Sequence, residues 1–556
     1  MKEDAAKLIQ QALKNIKIDI KIQDIEKIIE IPPNSDMGDF AFPCFFLVGR
    51  LKTNPHDIAI QIREEIGEIN QTNFKDIQVS GPYINFFIDR NALTKNLIRE
   101  ILKKKLDFGK TYTGRGKKAL IEHTSINPNA APHVGRARNA IIGDSLVRIL
   151  KFHGFNTETH YFVNDVSKQI AMLVLAKAEK MKFENMLQKY VNIASKVKKS
   201  KKLEKEVFDL LYKFEHNDKK VAAKFNSITK TCVEGQRKIL SEMGIHYDVF
   251  DYESSYLSKT MDILEDLKTT GKLFEDKDGR MVLDMKGTKI QGQMKSPVLV
   301  LTRSDGTGLY PLRDLAYTID KMKKSELNII VLGEDQKLYF QQLEETLKLL
   351  HITPPSVVHY SFILLAKKGK SKKMSTRSGD VVLLEDFISE AIKKAQKKSK
   401  NKKIAEKVAI GAVKYAIIKN GPNKIINFNL DEALNFEGDT GPYLMYSYAR
   451  ASSIIKKSKK SLKDFEIGEL EEKETELVKK LSEFSEVVHN SYKNLNPSLI
   501  ANYALQLSQT FNEFYHTCKV IGSEEKESFR IALVESFRNV LKNALWLLGI
   551  ETLEEM

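Results

Sequence analysis

The sequence predicts a multidomain α/β protein, with a parallel-sheet domain between an N-terminal α+β domain and a C-terminal all-α domain. Three observations support this fold class. The chain has 556 residues, enough for three or four domains of ordinary size. Runs that are apolar on both faces, typical of buried parallel strands, occur at residues 118–122, 296–302 and 326–332 and are separated by helical patterns. Residues 436–556 show helical periodicity throughout.

Composition bounds the class of protein. A hydrophobic content of 42% and a charged content of 29% are those of a soluble globular chain, and the apolar runs are too short to span a membrane. Acidic residues near the N-terminus argue against a signal or transit peptide. The three cysteines have neither metal-ligand nor redox spacing, so we expect a reduced cytoplasmic protein without bound structural metal. The net charge of +16 permits a polyanionic partner without requiring one.

Residues 1–112 are expected to form the first domain. Helical patterns cover about 3–16 and 55–66, and the second follows an Asn-Pro pair that is typical of a helix start. Alternating apolar residues at 79–88 predict a strand. The aromatic side chains of this segment are most simply explained as the core of a small α+β domain.

The most informative stretch is residues 117–150, which predicts a strand, a polar loop and a long helix. The strand covers 118–122, and the helical pattern runs from Gly135 to a C-terminal cap at Gly154. A helix N-terminus carries unpaired N–H groups and partial positive charge, so it favours an anion. His133, Arg136 and Arg138 add donors that could face the same place. This arrangement suits a nucleotide phosphate.

The segment His133–Arg136, His-Val-Gly-Arg, resembles the H-x-G-H signature of class I aminoacyl-tRNA synthetases. Its flanks resemble the arginyl-tRNA synthetases in particular, through Glu122, Ser125, Asn127 and Pro128 upstream and Tyr-Phe-Val-Asn-Asp at 161–165 downstream. The resemblance implies a Rossmann-like catalytic domain over 113–390, with a helical insertion at about 176–295. It also implies that His133, Gly135 and Arg136 bind ATP.

A second candidate constellation is Tyr310 with Asp314. Four residues apart, they share a face if Tyr310 begins a helix. A helix cap with a packed tyrosine is the plainer interpretation; the functional one is a guanidinium pocket, which requires a carboxylate and benefits from an aromatic face. The resemblance favours the second and implies the following arginine-binding residues: Glu122, Ser125, Asn127, Tyr310, Asp314 and Gln336.

Residues 372–380, Lys-Lys-Met-Ser-Thr-Arg-Ser-Gly-Asp, resemble the second class I signature, K-M-S-K-S. The resemblance implies that Lys373, Met374 and Ser375 contact ATP and that the lysine stabilises departing pyrophosphate. The implied catalytic residues are thus His133, Arg136 and Lys373. The chain departs from the family pattern with Arg136 for the second histidine and Thr376 for the second lysine. Ala130 stands where the family often has a compensating lysine.

Both ends of the chain resemble tRNA-binding domains of the same family. In the N-terminal domain, the resemblance implies that Tyr83 and Asn85 recognise a D-loop base, since an aromatic ring and an amide suit an unstacked base. A helical connection is expected at 391–435 and an all-α anticodon-binding domain at 436–556. Its expected base-stacking side chains are Tyr443, Tyr446, Phe514 and Tyr515.

The family resemblance implies a ligase that joins L-arginine to tRNA(Arg), with ATP and Mg²⁺, as a cytoplasmic monomer. Two alternatives remain. A class I enzyme for cysteine would need a cysteine-rich zinc site, which the three scattered cysteines do not provide. A catalytically weakened tRNA-binding paralogue would have lost both signatures, and here each is half altered.

Overall fold

The computed structural model describes residues 2–69, 72–367, 370–373, 382–397, 399, 401–458 and 464–556. The chain forms two units. The first comprises Met1–Lys103, Lys459–Val478 and Lys519–Leu533. The second comprises Lys104–Ser458, Lys479–Cys518 and Val534–Met556, and it contains the long parallel sheet.

The described helices are α1 (Lys2–Asn15), α2 (Ile22–Ile28), α3 (Val48–Leu51), α4 (Pro55–Ile66), α5 (Arg90–Lys104), α6 (Val134–Phe152), α7 (Lys168–Leu175), α8 (Met186–Lys198), α9 (Lys201–Glu215), α10 (Lys219–Glu242), α11 (Thr260–Lys268), α12 (Tyr310–Met322), α13 (Lys337–Leu349), α14 (Leu384–Gln396), α15 (Lys402–Ile418), α16 (Leu430–Ala433), α17 (Gly441–Lys457), α18 (Glu472–Ser482), α19 (Phe484–Lys493), α20 (Ser498–Thr517) and α21 (Glu527–Leu547). The described strands are β1 (Phe40–Pro43), β2 (Phe74–Ser80), β3 (Tyr83–Ile88), β4 (Lys118–Glu122), β5 (Asn156–Val163), β6 (Val249–Tyr252), β7 (Leu273–Glu275), β8 (Met281–Asp284), β9 (Val298–Val300), β10 (Leu327–Gly333), β11 (Ser356–Tyr360), β12 (Ile363–Lys367), β13 (Lys370–Lys373) and β14 (Ile426–Phe428).

The first unit contains an antiparallel sheet in the order β1-β3-β2, with buried side chains of α1 and α4 in the same core. Helix α4 begins where the sequence predicts, because Asn54 caps it and Pro55 occupies its first turn. The single strand expected over 79–88 is wrong. A tight turn at Gly81, with φ of 55°, divides this stretch between β2 and β3.

The second unit is organised around a five-stranded parallel sheet in the order β11-β10-β4-β5-β6. The predicted α/β class is therefore confirmed. Strands β4 and β10 are central and almost wholly buried, as their continuous apolar sequences require. Strand β9 corrects one expectation. It pairs antiparallel with β8 in a small separate sheet, because a hairpin at 273–284 supplies its partner.

Helix α6 follows β4, and it is buried along most of its length against the sheet. Since β5 lies on one side of β4 and β10 on the other, the strand order reverses at β4 and β10. Such a reversal leaves a crevice at the carboxyl ends of the strands, which is where open α/β sheets bind ligands. In the second unit, α8, α9 and most of α10 share a separate apolar core, while β6, also within 176–295, joins the parallel sheet.

From residue 436 onward every described regular element is a helix, so the all-α expectation for this part is confirmed. Throughout the described ranges, none of the helices combines the length and apolar character needed to cross a bilayer.

Candidate active site

A cavity of about 420 Å³ lies at the carboxyl ends of β4 and β10. Its wall includes all six side chains that the sequence predicts for the amino acid: Glu122, Ser125, Asn127, Tyr310, Asp314 and Gln336. They come from the end of β4, the following loop, the first turn of α12 and the turn after β10. Residues more than 200 positions apart in the sequence therefore meet at the place where the strand order reverses.

Helix α12 presents Tyr310 and Asp314 to this cavity. The helix begins at Tyr310, with Pro311 in the first turn, so the two side chains are one turn apart on the same face. The Tyr339 hydroxyl donates to the Asp314 carboxylate at 2.5 Å, and the Tyr310 and Tyr339 rings lie 5.0 Å apart. Burial raises the pKa of Asp314 to about 6, and the Tyr339 hydrogen bond opposes the rise. A cation entering the cavity would favour the ionised carboxylate.

Sequence analysis missed a second carboxylate in the cavity wall, Glu253. Its Oε1 accepts from Arg313 Nε at 2.6 Å, whereas its buried Oε2 has no hydrogen-bond partner among the described residues. Burial raises the pKa of Glu253 to about 8, against the opposing charge of Arg313. The signal that could have found it is its position, directly after edge strand β6 of the parallel sheet.

The third carboxylate, Glu122, is paired with Lys321, and both side chains are buried. The Lys321 ammonium also lies 4.6 Å from the centre of the Tyr317 ring. Lys321 stands two helical turns after Asp314 on α12, and it too was missed. With the exposed Asp335, four carboxylates line the cavity, and two internal cations, Lys321 and Arg313, pair with two of them. The excess of negative charge favours a cationic ligand.

Beside this cavity, the loop after β4 leads to the N-terminus of α6. His133 precedes the first turn of the helix, and its Nδ1 has no hydrogen-bond partner in the part of the chain that the structure describes. Burial lowers the pKa of His133 to about 4, and the charge of Arg136 lowers it further, so the imidazole is neutral near pH 7. Gly135 and Arg136 are both partly exposed in the same turn. A neutral donor, a cation and a helix N-terminus thus stand together, as expected of a phosphate site.

Arg138 corrects an expectation. Its guanidinium does not face the anion site but is fully buried and donates to three backbone carbonyls, of Ser361 at 2.6 Å, Lys424 at 2.7 Å and Gly421 at 3.0 Å. These groups tie α6 to the loops around β12 and β14. Arg138 is therefore a structural residue and not a phosphate ligand.

The second signature falls largely outside the described residues. Lys373 ends β13, but its side chain, together with Met374 and Ser375, lies outside the described set. Their contact with ATP stays a prediction. The described chain resumes at Val382. Backbone hydrogen bonds join residues 382–384 to the residues around His133: Val134 N donates to Val382 O at 3.1 Å, and Leu384 N donates to Pro132 O at 2.8 Å.

The candidate base-binding residues differ in exposure. In the first unit, Tyr83 is partly exposed with its ring against Phe45, whereas Asn85 is only 7% exposed. In the second unit, Tyr446 and Tyr515 are exposed and the Arg450 guanidinium lies over both rings, at 4.9 and 5.0 Å.

Two further candidates in the second unit are less accessible. Tyr443 is partly exposed, and its hydroxyl accepts from Asn512. Phe514 corrects a prediction: it has no exposed surface, because the register of α20 turns its ring into the helical core, and it cannot stack on a base from there.

Comparisons with known proteins agree along the whole chain. The catalytic domain described as tRNA synthetases class I (R) matches residues 97–431, the DALR anticodon binding domain matches 444–556, and the arginyl tRNA synthetase N terminal domain matches 3–88. The arginine–tRNA ligase of Methanocaldococcus jannaschii is 35% identical over 566 aligned residues, and the alignment covers 98% of this chain and 98% of that one. That of Clostridium perfringens is 33% identical over 577 residues and covers 100% of both.

Solved structures show the same fold. Arginyl-tRNA synthetase from Thermus thermophilus has a TM-score of 0.75 at 24% identity and covers 99% of both chains. The enzyme from Plasmodium falciparum has a TM-score of 0.70 at 21% identity, covering 99% of this chain and 98% of that one. None of these matches supports the alternatives of a cysteine enzyme or a weakened paralogue. The chain belongs to the arginine–tRNA ligase family of class I tRNA synthetases.

Proposed function

We propose that this chain activates L-arginine with ATP, giving arginyl-adenylate and pyrophosphate, and then transfers the arginyl group to the 3′ adenosine of tRNA(Arg). The observation that carries the proposal is the cavity at the β4–β10 crevice. Its wall holds four carboxylates and three tyrosines, and the loop after β4 leads from it to the N-terminus of α6. A small ligand with two cationic ends suits the carboxylates, and a triphosphate suits the helix N-terminus.

The guanidinium would lie between Asp314 and Glu253, with the Tyr310 ring along its face. Both carboxyls have pKa values raised by burial, to about 6 and about 8, so each lacks a sufficient counter-charge in the protein alone. The unpartnered Oε2 of Glu253 offers an acceptor for a guanidinium N–H. Guanidinium is always charged and donates in a planar fork, so it can satisfy both groups together.

The α-amino and carboxylate groups of arginine would lie at the β4 side of the cavity. There Glu122, Ser125 and Asn127 follow one strand, and Gln336 follows β10. Because Ser125 and Asn127 stand on the loop that leads to His133, the carboxylate would face the α-phosphate of ATP. Catalysis would then consist of positioning for in-line attack together with electrostatic stabilisation of the phosphates.

ATP would be held by His133, Gly135 and Arg136 on one side and by Lys373, Met374 and Ser375 on the other. Mg²⁺ would be carried on the phosphates. The donor set fits that role rather than a protein cage, because Glu122 pairs with Lys321, and Asp314 and Glu253 would be taken up by the guanidinium. Lys373 would neutralise charge on the departing pyrophosphate.

The tRNA would contact both ends of the chain. Exposure supports Tyr83 in residues 1–112, and Tyr446 and Tyr515 in residues 436–556. Asn85 and Tyr443 would contribute hydrogen bonds rather than stacking surface. We assign catalysis to residues 113–390, with the insertion at about 176–295, and a connecting role to 391–435. We further propose a cytoplasmic monomer, because residues of one chain form the cavity wall and the three cysteines lie far apart in the sequence.

The test is ATP–pyrophosphate exchange with each amino acid separately, with and without tRNA(Arg). We expect exchange with arginine and with no other amino acid. Exchange with cysteine instead would contradict the guanidinium pocket. No exchange under any condition, with tRNA binding retained, would identify a paralogue that binds tRNA without activating an amino acid.

A further inference from the structure

A buried glutamine on α10, Gln236, contacts the loop that carries the amino-acid site. Its Nε2 donates to Ala130 O at 2.8 Å and to Asn127 O at 3.0 Å. Its Oε1 accepts from the Tyr161 hydroxyl at 2.7 Å, and that hydroxyl also lies 3.0 Å from Ile126 O. The side chain has no exposed surface. The amide N–H groups therefore bond the loop at Asn127 and Ala130, and the amide oxygen bonds Tyr161 of β5.

The position of this amide is chemically unusual for its helix. The neighbouring inward residues of α10, Cys232, Val233, Ile239 and Leu240, are apolar and buried. A polar side chain in such a row costs stability unless its hydrogen bonds are satisfied. Gln236 is satisfied through the loop and through Tyr161 of β5, so packing of the helix alone does not explain a glutamine at this place.

The loop in turn depends on Gln236. Irregular backbone in a buried setting needs partners for its carbonyls, and the glutamine–tyrosine pair supplies them at residues 126, 127 and 130. Ser125 and Asn127 of this loop line the cavity, and His133 follows three residues after Ala130. Thr124, at the start of the loop, has a φ of 85°, which is rare for a β-branched residue and requires support from its surroundings.

We propose that Gln236 is a positioning residue for arginine activation, through which the helical insertion fixes the backbone of residues 126–130 in the geometry that binds the amino acid. This inference rests on the proposed arginine activation and assigns the insertion a part in it. Gln236 does not touch the cavity itself; it acts through Asn127 and Ala130. The structure thus gives α10 a role in the reaction that its lysine-rich outer surface does not suggest.

Two substitutions separate positioning from packing. Gln236→Met keeps the length of the side chain but removes the donor to the Ala130 carbonyl and one of the two donors to the Asn127 carbonyl, which keeps the Asn129 N–H. Cys232→Ala is the matched control, because this residue lies one turn earlier on α10, is equally buried and belongs to the apolar core that α10 shares with α7, α8 and α9. The measurements are arginine-dependent pyrophosphate exchange, tRNA binding, thermal unfolding, and hydrogen exchange of the amides of residues 124–131.

We expect Gln236→Met to lower kcat/KM for arginine by roughly 100-fold, since small misplacements of reacting groups have effects of this size. tRNA affinity and the exchange of α8 and α9 amides should remain as in the parent chain, while loop amides exchange faster. Cys232→Ala should lower the unfolding temperature and leave the kinetics unchanged. In the double variant Asn127→Ala/Gln236→Met, the loss should not exceed that of the larger single variant, because both act through the same loop.

The inference is overturned if Gln236→Met behaves like Cys232→Ala, or if the losses of the Asn127 and Gln236 variants multiply. Should Gln236→Met fail to fold, Gln236→Glu replaces it, as it has the same shape and lacks the two N–H donors. If the parent chain shows no arginine-dependent pyrophosphate exchange even with tRNA(Arg) present, the proposed function fails. Hydrogen exchange of the loop amides still decides whether Gln236 fixes the loop: unchanged amide exchange in Gln236→Met would refute it.

Discussion

Asp314→Asn should make the protein more stable and a worse enzyme at the same time. Burial raises the pKa of Asp314 from the ordinary 3.8 to about 6, a difference of about 2 units. At about 1.4 kcal/mol per unit, the ionised carboxylate costs up to about 3 kcal/mol of stability near neutral pH. Part of the group faces the solvent of the cavity, so roughly 1–3 kcal/mol should be recovered by the neutral amide. Arginine binding should weaken by about 2–5 kcal/mol, because a desolvated charged partner is lost.

The pH dependence of the free energy of unfolding tests whether the ionised Asp314 carboxylate destabilises the fold. Because the folded state binds the Asp314 proton more tightly than the unfolded state, this group stabilises the fold at low pH and loses its contribution as pH rises through about 6. The advantage of Asp314→Asn in the free energy of unfolding should therefore be full at pH 7.5 and mostly absent at pH 4.5. Urea unfolding followed by circular dichroism at both pH values measures it, and pyrophosphate exchange gives the arginine KM.

Asp320→Asn, on the same helix, is the matched control with the opposite sign. Partial burial raises the pKa of Asp320, but its hydrogen bond and ion pair with Lys324 outweigh this and lower it. Its substitution should cost stability at pH 7.5. An Asp314→Asn variant that is no more stable than the parent at pH 7.5, or whose advantage is the same at pH 4.5, would refute the desolvation argument. An arginine KM near that of the parent would refute the pocket.

Four further outcomes are expected. Lys321→Met leaves Glu122 as an unpaired buried carboxylate and should destabilise by about 3–5 kcal/mol in urea unfolding; a loss within error would contradict the pairing. Lys373→Ala should slow single-turnover adenylate formation without weakening tRNA binding, and an unchanged rate would exclude a role at the pyrophosphate. Tyr83→Ala should weaken tRNA binding by about 1–3 kcal/mol, and full additivity with a change of the D-loop base would argue against their contact. Finally, arginine-dependent pyrophosphate exchange should require bound tRNA(Arg) and fall with salt, since Arg136, Thr376 and Ala130 leave the signatures incomplete; full exchange without tRNA would rule this out.

The parts of the fold that the sequence predicts well are those set by local patterns. The strand at 118–122 and helices α4 and α6 follow from apolar periodicity and from Pro and Gly positions, which act within a few residues. The split of 79–88 into a hairpin was missed because the apolar alternation continues on both sides of the turn at Gly81. A Gly-Pro pair there was the available signal.

Parts of the site escape prediction because their partners are distant in the sequence. Arg138 has the sequence context of a phosphate ligand, and only carbonyls contributed by residues 361–424 turn it inward. Lys321 is paired 199 positions away with Glu122. Phe514 was misassigned for a related reason: whether an aromatic residue of α20 is core or surface depends on which face meets the other helices, and its exposed neighbour Tyr515 differs from it by a single residue.

The anchoring of the active-site loop by α10 limits where the insertion can change length. Each residue added to or removed from an α-helix rotates the following part by about 100°. Between Gln236 and strand β6 the chain runs through the last turns of α10 and a short connection. A one-residue insertion there would either rotate the Gln236 side-chain amide away from residues 127 and 130 or shift β6 in the sheet. Upstream, the connection between α8 and α9 has no such constraint from the loop. Homologous chains should therefore vary in length before α10 and keep a fixed spacing from Gln236 to β6.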